Sequence, residues 1–244
     1  MSAMAGERGV ALPFPDGHYY RIDPQFYAWQ VEQYEPALVP ALIASLSGSA
    51  VFFDVGAHVG IIAMMAARRI AQTGGRVYAF EPAPPNFALL EQHLRANDLR
   101  GPVETARVLV GDRVADGVPF VHRREPFTAN SLAYAIEDGV TTLTELITLD
   151  GFVAGGALPP THLKIDVEGF EGAVLRGATD TLRRFRPLVM CAIHPEPLAR
   201  LGETPRDIVR YMAAHDYGAF TLAGDPIDEP GFEDVLFRPV TSQR

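Results

Sequence analysis

The apolar run Val51-Phe52-Phe53 ends in an acid, Asp54, and breaks at once into the glycine turn Gly56-Ala57-His58-Val59-Gly60. An apolar helical stretch follows. The next apolar run, Val77-Tyr78-Ala79-Phe80, closes on a second acid, Glu81. Strand, glycine turn, helix and strand in this order read as a βαβ unit. In such a unit the glycines let a ligand approach the backbone, and the second acid takes ribose hydroxyls.

The turn itself narrows the ligand. A dinucleotide fold shows G-x-G-x-x-G, with the helix N-terminus aimed at a pyrophosphate. Here the order is Asp54-x-Gly56-x-His58-x-Gly60, so a pyrophosphate would meet a histidine side chain. An acid ahead of the first glycine suits an ammonium group better than a diphosphate. S-adenosylmethionine offers an ammonium at one end and a ribose at the other. Asp54, Gly56, His58, Gly60 and Glu81 are therefore the candidate cofactor residues. A plain strand-turn-helix would explain the glycines alone; Glu81 in register favours the nucleoside. An NAD(P)-dependent oxidoreductase or epimerase is the rival reading on a similar sheet.

The chain has 244 residues, enough for one large domain, or one domain and a small cap. It needs neither disulfide nor metal to fold. Cys191 is the one cysteine, which excludes an intrachain disulfide and a four-thiolate zinc site and fits a reducing cytoplasm. A net charge of -9 argues against a general nucleic-acid binder. No apolar run approaches the roughly 20 residues of a membrane span, and no signal peptide is evident. A homo-oligomer is compatible with the chain. Lys164 is the single lysine.

Residues 1–48 read as an N-terminal cap: a small, mobile stretch over 1–12, a short strand at 18–22 and a helix over 25–46 interrupted by Pro36 and Pro40. Residues 49–244 read as the catalytic domain. Strands are expected at 50–55, 76–80, 103–109, 162–167, 188–193, 217–221 and 233–238, and helices at 59–71, 84–97, 169–184 and 203–215. This alternation predicts an α/β fold, a doubly wound, mostly parallel sheet with helices on both faces. The stretch 112–150 breaks the pattern and reads as an inserted loop or hairpin with short strands at 118–122 and 145–149.

A second motif, Lys164-Ile165-Asp166-Val167-Glu168-Gly169, leads from a strand into a helix. The following strand ends in Ala192-Ile193-His194-Pro195. Ligands of open parallel sheets sit at the carboxyl ends of the strands, near the switch in strand order. Asp166, Glu168 and His194 would meet at that rim. Methyl transfer to an alcohol requires loss of the hydroxyl proton, and an imidazole titrates in the right range. The carboxylates could orient that imidazole, orient the hydroxyl, or hold a divalent cation such as Mg²⁺; no metal ligand is assigned. Structural roles compete: Asp166 as a helix cap, Glu168 as a dipole partner, His194 as a turn residue. Asp112 is the candidate for the adenine amino group, or a turn aspartate in Gly111-Asp112-Arg113.

Taken together these segments resemble the FkbM family of S-adenosylmethionine-dependent methyltransferases. The matching stretches are Tyr34-Glu35-Pro36, Phe53 to Gly60, Val77 to Pro82, Leu149-Asp150, Lys164 to Glu171, Leu175-Arg176-Gly177-Ala178 and Ile193-His194-Pro195. The resemblance implies a class I methyltransferase fold, a seven-stranded sheet with an antiparallel last strand. It implies O-methylation of a small-molecule hydroxyl on a sugar, glycolipid, polyketide or related secondary metabolite. It places Asp54, Gly56, Gly60 and Glu81 at the cofactor and Asp166 and Glu168 near the reaction centre. Two positions depart from the family pattern: His58 stands where asparagine is usual, and Ala192 where the fifth strand usually carries a glutamate. A non-catalytic methyltransferase-like subunit is a further alternative.

Overall fold

The computed structural model describes residues 9–25, 34–124 and 139–240. Two short strands, β1 (Val10–Pro13) and β2 (Tyr19–Ile22), pair antiparallel. They are pinned to the body by a two-way link in which the Arg21 N–H donates to Asn97 Oδ1 and Asn97 Nδ2 donates to the Arg21 carbonyl. Helix α1 (Leu38–Ser45) follows. The expected helix over 25–46 therefore survives only in its last part; residues 26–33 lie outside the described residues, as do 1–8 of the stretch expected to be mobile. Pro40 sits in the first turn of α1, where a missing N–H costs no intrahelical bond. Leu12, Phe14, Tyr20, Ile22, Leu38 and Leu42 share one buried cluster with the next helix.

The βαβ unit comes next: β3 (Val51–Val55), α2 (Ile61–Ile70) and β4 (Arg76–Phe80). All five residues of β3 are buried, as a strand covered on both faces must be. Helix α3 (Pro84–Ala96) opens on prolines whose fixed φ suits a first turn, and β5 (Val103–Ala106) ends this half. The expected strand at 103–109 stops at Ala106; the chain resumes as β6 (Leu109–Val110), which belongs to a separate three-stranded sheet with β7 (Ala115–His122) and β8 (Val140–Ile147). β7 and β8 pair antiparallel, and residues 125–138 between them lie outside the described residues. The expected strand at 145–149 ends earlier, because the Thr148 side chain caps α4 (Leu149–Ala154).

The other half holds β9 (His162–Ile165), α5 (Glu171–Arg176), α6 (Thr179–Phe185), β10 (Leu188–Ile193), α7 (Pro195–Arg200), α8 (Pro205–Ala213), β11 (Tyr217–Thr221) and β12 (Glu233–Pro239). The single helix expected at 169–184 is two. Gly177 packs its Cα against the Gly111 backbone, where no side chain fits, and Asp150 accepts from the Asp180 and Thr181 N–H groups at the start of α6. Helix α7, with Pro195 in its first turn, occupies a stretch where no helix was expected.

The main sheet runs β11-β12-β10-β9-β3-β4-β5. All neighbours are parallel except at β12, which is antiparallel to both β10 and β11. The order reverses between β9 and β3, and their carboxyl ends form the crevice such sheets use for ligands.

Candidate active site

A cavity of about 710 Å³ opens over that crevice. Its floor comes from the loop after β3, its sides from the ends of β4, β9 and β10, and its rim from Tyr34, Glu35 and the chain entering β12. One end is apolar, with Val108, Leu109, Val110, Phe120 and Phe170. The other is crowded with ionisable groups.

Gly56 and Ala57 donate their N–H groups to the Phe80 carbonyl, which bends the loop across the top of β4. Gly56 has φ +80°, and a Cβ there would run into the Asp166 carbonyl oxygen; only glycine allows the loop and β9 to lie this close. His58 also has positive φ, +52°. That region favours asparagine and tolerates histidine, which accounts for the interchange at this position. Its N–H donates to Glu81 Oε2 at 2.9 Å. Burial holds the His58 imidazole pKa down to about 4, so the ring is neutral.

Glu81 is buried, and its other oxygen accepts from Ala83 N–H at 2.9 Å and Asn86 Nδ2 at 3.3 Å. Burial nevertheless dominates and pushes its pKa up to about 7. Oε1 thus has both lone pairs engaged, whereas Oε2, with the His58 N–H alone, keeps a lone pair for a ligand hydroxyl.

Asp54 is not on the cavity wall. It is fully buried, and the ammonium it faces belongs to the chain: Lys164 Nζ lies 3.2 Å from its Oδ1. The same ammonium lies 3.5 Å from Asp166 Oδ2 and donates to the Gly56 carbonyl at 3.3 Å. Burial works against charge on Lys164, but Asp54 and Asp166 outweigh it and keep the group protonated. Gly60 starts α2 and packs beneath Leu90, off the wall. Asp112 is also elsewhere. It lies 3.2 Å from Arg113 and 3.9 Å from Arg176, tying the end of β6 to α5.

Asp166, Glu168 and His194 do converge. His194 Nε2 lies 3.7 Å from Asp166 Oδ1 and 3.9 Å from Glu168 Oε1. Its other nitrogen, Nδ1, donates to Glu171 Oε1 at 2.7 Å. Glu171 is fully buried and its Oε1 also accepts the Gly169 N–H, so it fixes the ring and leaves Nε2 as the variable position. Burial lowers the His194 pKa, yet the Glu171 hydrogen bond and the Glu171, Asp166 and Glu168 charges raise it above the ordinary imidazole value. Ligand atoms of Asp166, Glu168 and His194 lie within 4.8 Å of one another, a spacing that could also hold a divalent cation.

Sequence reasoning missed Glu171, although an acid inside the apolar run Phe170–Leu175 is a signal of a buried partner. It also missed the wall residues Glu35, Asn86, Phe232 and Asp234. Phe232 is 78% exposed and meets the His194 ring edge-on at 5.2 Å between centroids.

Comparison with known proteins bears on the family and the fold. The model of the methyltransferase FkbM domain matches residues 54–218. The hexuronic acid methyltransferase AglP of Haloferax volcanii is 28% identical over 180 residues, covering 73% of this chain and 68% of that protein. The crystal structure of methyltransferase FkbM from Methylobacillus flagellatus KT superposes with a TM-score of 0.51 at 20% identity, over 80% of this chain. This chain spans 45% of the length of that structure. Precorrin 8w decarboxylase from Methanobacterium thermoautotrophicum shares the fold with a TM-score of 0.50 at 13% identity, covering 94% of this chain and all of that one. Among the described residues no helix is long and apolar enough to cross a membrane.

Proposed function

The chain belongs to the FkbM family of S-adenosylmethionine-dependent methyltransferases, and on that premise we propose that it methylates a hydroxyl of a sugar or sugar-bearing small molecule, with His194 as the base. The observation that carries this is the His194–Glu171 pair at 2.7 Å, set at the cavity with Nε2 turned towards Asp166 and Glu168. The AglP relative, a methyltransferase of hexuronic acid, supports a carbohydrate acceptor. So does Phe232, an exposed ring at the rim on which a pyranose face could stack.

In this reading Glu81 takes the ribose hydroxyls and the apolar end at Val108–Val110 takes the adenine. Gly56 and His58 line the cofactor's path between them and the reaction centre. Asp54 acts through Lys164, holding the loop against β9, and Gly60 acts by starting α2. Asp112 has no part in adenine recognition. The acceptor hydroxyl lies by His194, with Asp166 and Glu168 orienting it. Its proton passes to Nε2 as the oxygen attacks the sulfonium methyl. Enclosure matters, because the sulfonium is an electrophile that water would otherwise consume.

A second reading gives Asp166, Glu168 and His194 to a divalent cation. Mg²⁺ is the poorer candidate for it: one imidazole and two carboxylates suit Mn²⁺ or another first-row ion better than a hard cation that prefers oxygen. The single cysteine and the acidic charge favour a cytoplasmic enzyme with no nucleic-acid partner.

The experiment is calorimetric titration with S-adenosylhomocysteine, NAD and NADP, followed by transfer of a labelled methyl group to sugar acceptors. Micromolar S-adenosylhomocysteine binding with label in a sugar ether supports the reading. Binding without turnover on any acceptor points to a non-catalytic subunit, and binding of a nicotinamide cofactor instead overturns the cofactor assignment.

A further inference from the structure

We propose, resting on the sugar-hydroxyl reading above, that the acceptor ring entering this cavity carries no carboxylate or phosphate: it is a neutral or an amino sugar. Around His194 the wall presents Glu35, Asp166, Glu168, Glu233 and Asp234. Asp234 sits opposite Ala192 in the β10–β12 register, two residues from His194. Glu35, Asp166 and Asp234 lie close enough to repel one another.

Against these acids the described wall offers one lysine and no arginine. That lysine, Lys164, is already held between Asp54 and Asp166. Residues 26–33, which join the wall residues Gln25 and Tyr34, contain no lysine, arginine or histidine, and neither do residues 125–138. An anionic acceptor would enter against like charge and, among the described wall residues, meet no arginine and no lysine that is not already paired. Hydroxyl and ammonium groups would find acceptors on every side.

The base bears on which group of that sugar is methylated. A carboxylate acceptor is already a nucleophile and has no proton to lose. An alcohol does, and the His194–Glu171 pair is built to take one. In the step drawn here the O–H bond breaks and its proton goes to His194 Nε2. The oxygen–methyl bond forms as the methyl–sulfur bond breaks, and the electron pair stays on sulfur to give S-adenosylhomocysteine. On the charge of the wall, the acceptor differs from the hexuronic acid named for the Haloferax relative.

The test uses radiolabelled S-adenosylmethionine and matched methyl glycosides in several ring configurations: neutral, 2-amino and uronic acid. The expected kcat/KM for the best neutral or amino glycoside exceeds that of its matched uronide by at least about 100-fold. Equal or better turnover of uronides overturns this inference and leaves the methyltransferase reading intact. No label in any sugar, with S-adenosylhomocysteine binding intact, overturns the sugar acceptor and this inference with it. The double variant Glu35→Gln/Asp234→Asn should narrow the neutral-to-uronide ratio by about 10-fold or more, since it removes two of the like charges that an anionic acceptor would face. An unchanged ratio in a folded, active double variant would show that these acids do not set the preference.

Discussion

Lys164 Nζ and Asp54 Oδ1 lie 3.2 Å apart, and the parallel register of β3 and β9 sets the two residues side by side at the point where the strand order reverses. The acid ahead of the glycine turn thus has its ammonium partner inside the protein. Through the same ammonium it reaches Asp166 and the Gly56 carbonyl, so the loop after β3 and the end of β9 share one buried charge.

Lys164→Met should leave Asp54 as an uncompensated buried carboxylate. Removing one partner of a buried pair costs about 3–5 kcal/mol, whereas replacing both is far milder. Chemical denaturation should show a loss of that order for the single variant and a large recovery in Asp54→Asn/Lys164→Met. A single variant as stable as the parent would mean that Asp54 does not depend on Lys164.

Glu81 gives a pH dependence whose sign can be worked out. Its pKa is raised to about 7 in the fold from an ordinary 4.5, so the folded state binds the proton more tightly than the unfolded chain. The stability this group contributes is present below about pH 4.5 and is lost as pH rises through 7. A carboxylate accepts from ribose hydroxyls better than a carboxylic acid does, so cofactor affinity should move the opposite way. Binding of S-adenosylhomocysteine should be weaker at pH 6 than at pH 8. Glu81→Gln should bind poorly at both pH values and lose the difference, and titration calorimetry at the two values decides it.

Much of this was legible in the chain. The β3–α2–β4 unit announces itself because each strand is buried on both faces and each ends in an acid. Asp166, Glu168 and His194 were legible because adjacent parallel strands must deliver their carboxyl-terminal residues to one rim. The Asp54–Lys164 pair was not, because it depends on β3 and β9 being neighbours, a consequence of the strand order and not of local sequence. Phe232 and Asp234 escaped for the same reason: they arrive on an antiparallel strand from the far end of the chain. The break between α5 and α6 escaped because it follows from the contact of Gly177 with Gly111, which no helical periodicity records.

His194 should be separable from the cofactor. His194→Ala is expected to cut kcat by about 10²–10⁴-fold, the usual worth of a general base, with S-adenosylhomocysteine binding unchanged. The neutral ring is the active form and its pKa is raised in the fold, so kcat should climb through the neutral-to-alkaline range. Glu171→Gln removes the anion that holds the proton on Nδ1, and should move that limb towards acid pH while lowering its plateau. The stability from charged His194 runs the other way: it is present below about pH 6.5 and lost as pH rises through the folded value. A Glu171→Gln profile that overlays the parent would reduce Glu171 to a packing residue.

Chelation distinguishes the base from a cation ligand. If Nε2 takes the proton, enzyme stripped with EDTA should keep its turnover, and added Mn²⁺ should do nothing or inhibit by occupying Asp166, Glu168 and His194. If those three residues hold a required ion, stripping should abolish turnover and Mn²⁺ should restore it more effectively than Mg²⁺, as a nitrogen-containing ligand set demands. Paramagnetic resonance of Mn²⁺ supplies a readout that does not depend on activity. A bound, anisotropic signal lost in Glu168→Gln would place the ion at this trio, whereas the free-ion signal in parent and variant alike would leave His194 as the base.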